Sequence, residues 1–176
     1  LRYAEVYHGR ELEDAKSRLR ASAAVLVGTL LDRDLTISIA ESCTGGLVGD
    51  ALTDIPGAHD VVLASLVAVH NDAKRILLGV PLSTLQRFGP VSGETAKAMS
   101  VGVRCVACSD ISVAITGLAG IGPGTVRHPV GTVWLSVSGD MGKVTERRYY
   151  VDLSNRAFKI RAAREAIELV TAYLRG

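Results

Sequence analysis

The sequence lacks the features that mark proteins binding nucleic acid or crossing membranes. Its 20 Lys and Arg residues are nearly balanced by 18 Asp and Glu residues, and it has no dense basic stripe with interleaved aromatic residues. No apolar run approaches the roughly 18 residues of a membrane span. The first twenty residues carry charges throughout, where a signal peptide has an apolar stretch. We therefore expect a cytoplasmic protein with a small-molecule partner and with neither a nucleic-acid nor a membrane partner.

Cysteine and histidine are too few and too scattered to indicate a disulfide framework or a metal site. Cys43, Cys105 and Cys108 leave an odd cysteine over. The C-x-x-C spacing of Cys105 and Cys108 is that of half a metal site or a redox pair, but no second pair follows at ligand spacing and the four histidines are dispersed. We predict no metal and no cofactor, and interpret this pair as small buried residues on a helix.

The glycine-rich segment 117–125, "GLAGIGPGT", matches neither of the common nucleotide-binding patterns. It departs from the dinucleotide fingerprint G-x-G-x-x-G, and it lacks the spacing and the lysine of a Walker loop. The N–H groups of such a loop still suit an anion, so it stays a candidate for substrate binding.

Alternating strand and helix patterns predict one α/β domain over residues 1–176, with a mixed sheet. The continuous apolar run 61–69 is typical of a strand buried on both faces. The "GDMG" connection favours an antiparallel hairpin near the end of the chain. An asparagine cap and a glycine stop mark a short helix at 71–79. The predicted helices are 11–32, 46–53, 71–79, 92–108 and 155–174, with a further turn or two over 81–88, and the predicted strands are 35–40, 61–69, 111–116, 130–138 and 143–151.

The loops 41–46, 70–74 and 117–125 follow strands at one sheet edge, where ligands collect in such folds. In the first loop Ser42 or Thr44 has the chemistry of a nucleophile, and N–H groups from Gly45 onward could stabilise an oxyanion or bind a phosphate. The alternative is that both hydroxyls only cap the helix. Cys43 is a rival nucleophile. The alternative is that it is a small residue that packs behind the turn.

Lys74 lies in the first turn of its predicted helix, where the macrodipole disfavours a cation. If it is buried, its neutral form is favoured, and it could accept a proton from a serine. The alternative is an ordinary exposed lysine.

Five segments resemble the CinA C-terminal domain, the nicotinamide-nucleotide amidase family, in order over about residues 15–175. The resemblance implies a three-layer α/β/α fold, a pyridine-nucleotide substrate, and hydrolysis of the amide of nicotinamide mononucleotide to nicotinate mononucleotide and ammonia. It also implies a homo-oligomer. The segments are "AESCTGGL" (40–47), "NDAKRILLGV" (71–80), "VSGETAKAMSVGVR" (91–104), "AITGLAG" (114–120) and "PVGTVWLSV" (129–137).

The resemblance also implies roles for individual residues. Ser42 is the expected nucleophile, and Lys74 is the lysine that activates it. The remaining residues are expected to bind substrate, with Gly45 and Gly46 near the phosphate or the oxyanion: Thr44, Gly45, Gly46, Thr116, Gly117, Gly120, Gly122 and Gly124.

The chain departs from the family pattern close to these residues. Val69 stands where the family has a tyrosine that assists the lysine, and His70 replaces that phenol only if the chain has already left the strand. We therefore carry two hypotheses, a working amidase, which we favour, and a non-catalytic homologue that binds a pyridine nucleotide or acts as an oligomeric partner. Further departures are Ala64 and Ser65 for a glycine pair, Ile121 and Pro123 in the substrate loop, and Ser154, Asn155 and Arg156 for G-D-R.

Overall fold

A mixed five-stranded sheet organises the protein, whose computed structural model describes residues 2–119, 129–150 and 154–176. The strand order is β2-β1-β3-β4-β5. β1 pairs in parallel with β2 and β3, whereas β3, β4 and β5 pair antiparallel. The predicted mixed sheet and hairpin are thus confirmed. The elements are α1 (Arg2–Asp32), β1 (Ile37–Glu41), α2 (Leu47–Thr53), α3 (Ala58–Val61), β2 (Val62–Val67), α4 (Asn71–Leu78), α5 (Leu82–Phe88), α6 (Gly93–Ala107), β3 (Ile111–Gly117), β4 (Thr132–Gly139), β5 (Gly142–Tyr149) and α7 (Asn155–Arg175).

Helices cover both faces of the sheet and give the three-layer α/β/α fold. On one face, α1, α2 and α7 pack around a large aliphatic core that includes Leu26, Leu30 and Ile167. On the other face, α4, α5 and α6 enclose a smaller core around Met99 and Leu78. β1 and β3 are buried along nearly their whole length because they lie between the two helical layers.

The second strand is an edge strand, so the prediction that the run 61–69 is buried on both faces is wrong. β2 pairs only with β1, and its residues alternate between half-buried and exposed. Leu63 and Val67 are 46% and 44% exposed. The strand is also shorter than predicted, since Val61 belongs to the short helix α3 and the strand ends at Val67.

Two helix starts also differ from the sequence prediction. α1 begins at Arg2 rather than at residue 11, where the apolar spacing that marks it first becomes regular. The N-cap of α4 is His70 rather than Asn71, because the His70 imidazole accepts a hydrogen bond from the Asp72 N–H. Cys105 and Cys108, at the end of α6, are exposed, so the prediction that they are buried is wrong. None of the described helices is both long and apolar enough to cross a membrane.

The parallel arrangement brings three chain segments to one edge of the sheet. β1, β2 and β3 run in the same direction, so the segments after Glu41, Val67 and Gly117 leave the sheet at their carboxyl ends side by side. This edge holds the residues of the candidate site.

Candidate active site

Lys74 and Ser42 meet at this edge in direct hydrogen-bond contact. Lys74 is buried, with 1% of its surface exposed, although lysine is among the residue types least often buried. Its Nζ lies 3.2 Å from Ser42 Oγ and 2.8 Å from each of the main-chain carbonyl oxygens of Ala68 and Val69. The exposed-lysine interpretation is therefore wrong, and the three groups account for all the hydrogen-bonding capacity of the amine.

The surroundings of Lys74 favour its neutral form. Burial lowers the pKa of Lys74, since a charged ammonium loses its hydration there. A neutral amine has two N–H groups and one lone pair. The two N–H groups match the carbonyl oxygens of Ala68 and Val69, and the lone pair is then left to accept the Ser42 hydroxyl proton. This is the arrangement of a serine nucleophile with its general base.

The turn after β2 places the Ala68 and Val69 carbonyl oxygens next to the Lys74 amine. The strand ends at Val67, and the Ala68 N–H still donates to the Glu41 carbonyl at 2.8 Å, which fixes the start of the turn. The chain has left the strand at His70, but the imidazole caps α4 and its side chain is 80% exposed beside Asp72. The structure therefore does not place His70 against Ser42.

Glu41 organises the turn that carries Ser42. Its buried carboxylate accepts hydrogen bonds from the N–H groups of Gly46, Val48 and Gly49 at 2.9 to 3.1 Å, and from the Ser65 hydroxyl at 3.3 Å. The start of a helix presents such unpaired N–H groups, which favour an anion. Sequence reasoning missed Glu41, although an acid at a strand end just before a helix start is the signal that could have indicated it.

This carboxylate corrects two expectations for the turn. Neither hydroxyl, Ser42 nor Thr44, caps α2, whose N-cap is Gly46 with no side-chain cap. The Gly46 N–H, expected near the phosphate or the oxyanion, is occupied by Glu41. Gly45 and Gly46 have φ values of 67° and 99°, a left-handed conformation that glycine adopts without steric cost.

A cavity of about 410 Å³ opens in front of Ser42. Larger grooves lie between α1 and α7 and between β5 and α7, but among the cavities found in the described residues this one contains both Ser42 and Lys74. It is walled by Val69, which is 67% exposed, and by segments from four parts of the chain. The other lining residues are Cys43, Gly45, Pro90, Val91, Thr116, Gly117, Leu118, Ala119, Asn155 and Lys159.

The predicted substrate-binding residues lie in different positions relative to this cavity. Gly45, Thr116 and Gly117 line it, and the Thr116 hydroxyl donates to the Pro90 carbonyl at 2.7 Å. Thr44 is buried outside the cavity lining, and its Oγ1 has no hydrogen-bond partner among the described residues. Three of the predicted residues, Gly120, Gly122 and Gly124, lie outside the described residues. Ile121 and Pro123 lie outside them as well.

Cys43 is poorly suited to be the nucleophile. It is partly buried behind the turn, and burial raises the pKa of its thiol to about 12. At neutral pH the thiolate, which is the reactive form, is therefore rare. Ser42, by contrast, is in direct contact with the Lys74 amine.

Two residues of α7, Asn155 and Lys159, line the cavity; the sequence marked Asn155 only as a departure from the family's G-D-R segment and gave no signal for Lys159. They reach it because α7 begins at this edge of the sheet, after a long chain separation from Ser42. In the described parts of the chain, no group of three or more His, Cys, Asp or Glu residues is arranged to hold a metal ion.

Comparisons with known proteins agree on one family. The family model for the CinA C-terminal domain matches residues 19–174. The CinA-like protein of Geotalea uraniireducens is 39% identical over 150 residues, which are 85% of this chain and 33% of that protein. A putative competence-damage inducible protein of Desulforudis audaxviator is 39% identical over 145 residues, or 82% of this chain and 35% of that protein. The chain thus spans about a third of the length of the curated relatives it matches.

Solved structures of similar proteins share the fold. The competence/damage inducible protein CihA from Agrobacterium tumefaciens superposes with a TM-score of 0.85 at 36% identity, covering 88% of this chain and 94% of that one. A competence-damaged protein (CinA) superfamily protein from Enterobacter cloacae gives a TM-score of 0.77 at 29% identity, covering 93% and 92%.

Proposed function

The chain belongs to the CinA C-terminal domain family, and from this premise we propose that it deamidates nicotinamide mononucleotide to nicotinate mononucleotide and ammonia. Ser42 is the nucleophile and Lys74 its general base. The observation that carries the proposal is the 3.2 Å contact between Lys74 Nζ and Ser42 Oγ, made by a buried lysine.

The reaction has two halves, each using Lys74 to move one proton. In the first, Ser42 Oγ attacks the amide carbon while its proton passes to Lys74 Nζ. The protonated Lys74 then returns that proton to the departing nitrogen, so ammonia leaves and an ester on Ser42 remains. In the second half, a water gives a proton to Lys74 and attacks the ester, and the proton goes back to Ser42 Oγ as nicotinate mononucleotide is released.

The main-chain contacts of Lys74 suit this proton shuttle. In either charge state its amine keeps the Ala68 and Val69 carbonyl oxygens as acceptors, so only the third position changes between accepting and donating. The base therefore stays in place through both halves of the reaction.

A second candidate function is ligand binding without catalysis. It is favoured by Val69, which faces the cavity where the family has a tyrosine. If the phenol is needed for proton transfer, the chain would bind the mononucleotide and release no ammonia, since catalytic groups that act as a unit are not individually dispensable.

Ammonia release from nicotinamide mononucleotide tests the proposal and separates the two candidates. We expect the purified protein to release ammonia and Ser42→Ala to lower kcat by about a thousandfold or more. Ser83→Ala, a change to an exposed serine on α5, is the matched control and should keep full activity. Binding of the mononucleotide with no ammonia above the Ser42→Ala level would reject the amidase and support the binding function.

A further inference from the structure

Lys159 points its charge at the Ser42 turn from a different layer of the fold. Asn155 and Lys159 are four residues apart on α7 and so share one face of the helix, and both line the cavity. The Nζ of Lys159 lies 3.6 Å from the position that a Cβ on Gly45 would occupy. The ammonium is therefore against the turn that carries the nucleophile.

Among the residues that the structure describes, the cavity lining gives this ammonium no counter-ion. None of the described lining residues is an aspartate or glutamate. Lys159 forms neither a salt bridge nor a hydrogen bond with any residue in the described ranges, whereas most other charged residues of α7 are paired. A half-buried cation without a partner, facing a cavity, favours an anionic ligand there.

The neighbouring arginine does not share this position. Arg156 is the residue of the family's G-D-R segment that the chain retains, yet it lines a separate groove with α1 and α2 residues. Lys74, the other lysine of the cavity, is held toward its neutral form, and its amine is already satisfied by Ser42 and two carbonyls. Among the described residues, Lys159 is thus the lining cation still available to a ligand.

We infer that Lys159 binds the phosphate group of the substrate and selects a mononucleotide over the corresponding nucleoside. The inference rests on the proposed function only in taking the Ser42 cavity as the substrate site. Gly45 keeps the space beside the ammonium open, because its φ of 67° disfavours any side chain. A phosphate held there would lie next to the nucleophile turn and anchor the substrate from its charged end.

Binding measured without turnover tests this inference. Calorimetric titration of Ser42→Ala protein with nicotinamide mononucleotide and with nicotinamide riboside compares ligands that differ in the phosphate. Adding Lys159→Met should weaken mononucleotide binding by about 10- to 100-fold, the usual range for losing a charged hydrogen-bond partner. Riboside binding should change less than about twofold, and Lys159→Arg should retain most of the mononucleotide affinity.

Two control variants separate a specific contact from the net charge. Lys143→Met removes the same charge from an exposed position on β5, at the other end of the sheet. Arg156→Met removes a charge three residues away on α7. Both should leave the affinity for the mononucleotide within about twofold of the parent protein. A loss in Arg156→Met equal to that in Lys159→Met would overturn the inference, since it would assign the effect to the overall charge of this helix end.

The remaining outcomes separate this inference from the proposed amidase. If Lys159→Met weakens mononucleotide binding but the protein releases no ammonia, the phosphate contact stands and the amidase fails. If ammonia is released and Lys159→Met leaves the affinity unchanged, the amidase stands and the phosphate contact is refuted. Equal affinity of the Ser42→Ala protein for the mononucleotide and the riboside, or no binding of either, also refutes it.

Discussion

Glu41→Gln tests whether a buried carboxylate holds the nucleophile turn. The carboxylate accepts at both ends: one oxygen takes the N–H groups of Gly46 and Val48, and the other takes the Gly49 N–H and the Ser65 hydroxyl. A glutamine of the same shape has an acceptor at one end only. Its NH₂ must therefore face at least one buried N–H group.

The cheaper orientation of the glutamine sets the expected cost. With the NH₂ toward Gly49, the Ser65 hydroxyl can rotate to accept, and one N–H group loses its partner. An unpaired buried N–H costs about 1–3 kcal/mol. The hydrogen bonds to Gly46 and Val48 also lose the assistance of the charge, so we expect the free energy of unfolding to fall by about 2–4 kcal/mol.

Urea unfolding followed by circular dichroism measures this loss. With an m value of about 2 kcal/mol/M, the midpoint should fall by about 1 to 2 M urea. Glu94→Gln, on the exposed side of the first turn of α6, is the matched control and should change the free energy by less than about 0.5 kcal/mol. A Glu41→Gln protein as stable as this control would refute the role assigned to the carboxylate.

Three further predictions follow from the cavity. In the proposed mechanism neutral Lys74 is the base, and burial lowers its pKa, so kcat/KM should rise with pH and level off below the usual lysine pKa. Initial rates of ammonia release between about pH 6 and pH 10 test this, and rates that do not change with pH would contradict it. Val69→Tyr should raise kcat by about tenfold or more, because it adds to the cavity wall a phenol that can assist proton transfer. An unchanged kcat would contradict a catalytic role for the phenol. Iodoacetamide at neutral pH should label the exposed Cys105 and Cys108 and spare Cys43, whose thiol pKa is raised to about 12; peptide mass spectrometry showing equal labelling of all three would contradict this burial.

Local patterns predicted the sheet well because strand and helix signals alternate clearly along this chain. The hairpin at "GDMG" and the helix stop at Gly79 depend on short-range turn chemistry, which is legible in the sequence. The position of β2 at the edge of the sheet, by contrast, cannot be predicted from the sequence. An apolar run looks the same at an edge as in the centre, since what differs is the neighbour on the far side.

The candidate site was predictable where its residues carry local chemistry and follow strands. The loops after parallel strands meet at one edge, which made Ser42, Thr44 and Lys74 candidates, and the family resemblance then selected Ser42 and Lys74. Glu41 was missed since its role depends on where its side chain turns, toward the helix start rather than the cavity. Lys159 was missed for another reason: only the packing of α7 brings it to Gly45, and no sequence spacing encodes that approach.

Main-chain groups, rather than the side chain at position 69, orient the proposed base. Lys74 donates to the Ala68 and Val69 carbonyl oxygens, and the Ala68 N–H donates to the Glu41 carbonyl, so both ends of this turn are fixed by the backbone. Glu41 thereby connects the two halves of the site, with its main chain holding the lysine's turn and its carboxylate holding the turn of Ser42. A change from tyrosine to valine at position 69 removes a phenol but none of the described hydrogen bonds of the amine. Activity measured in Val69→Tyr would therefore report the chemistry of the phenol alone, because the geometry of Ser42 and Lys74 is already set without it.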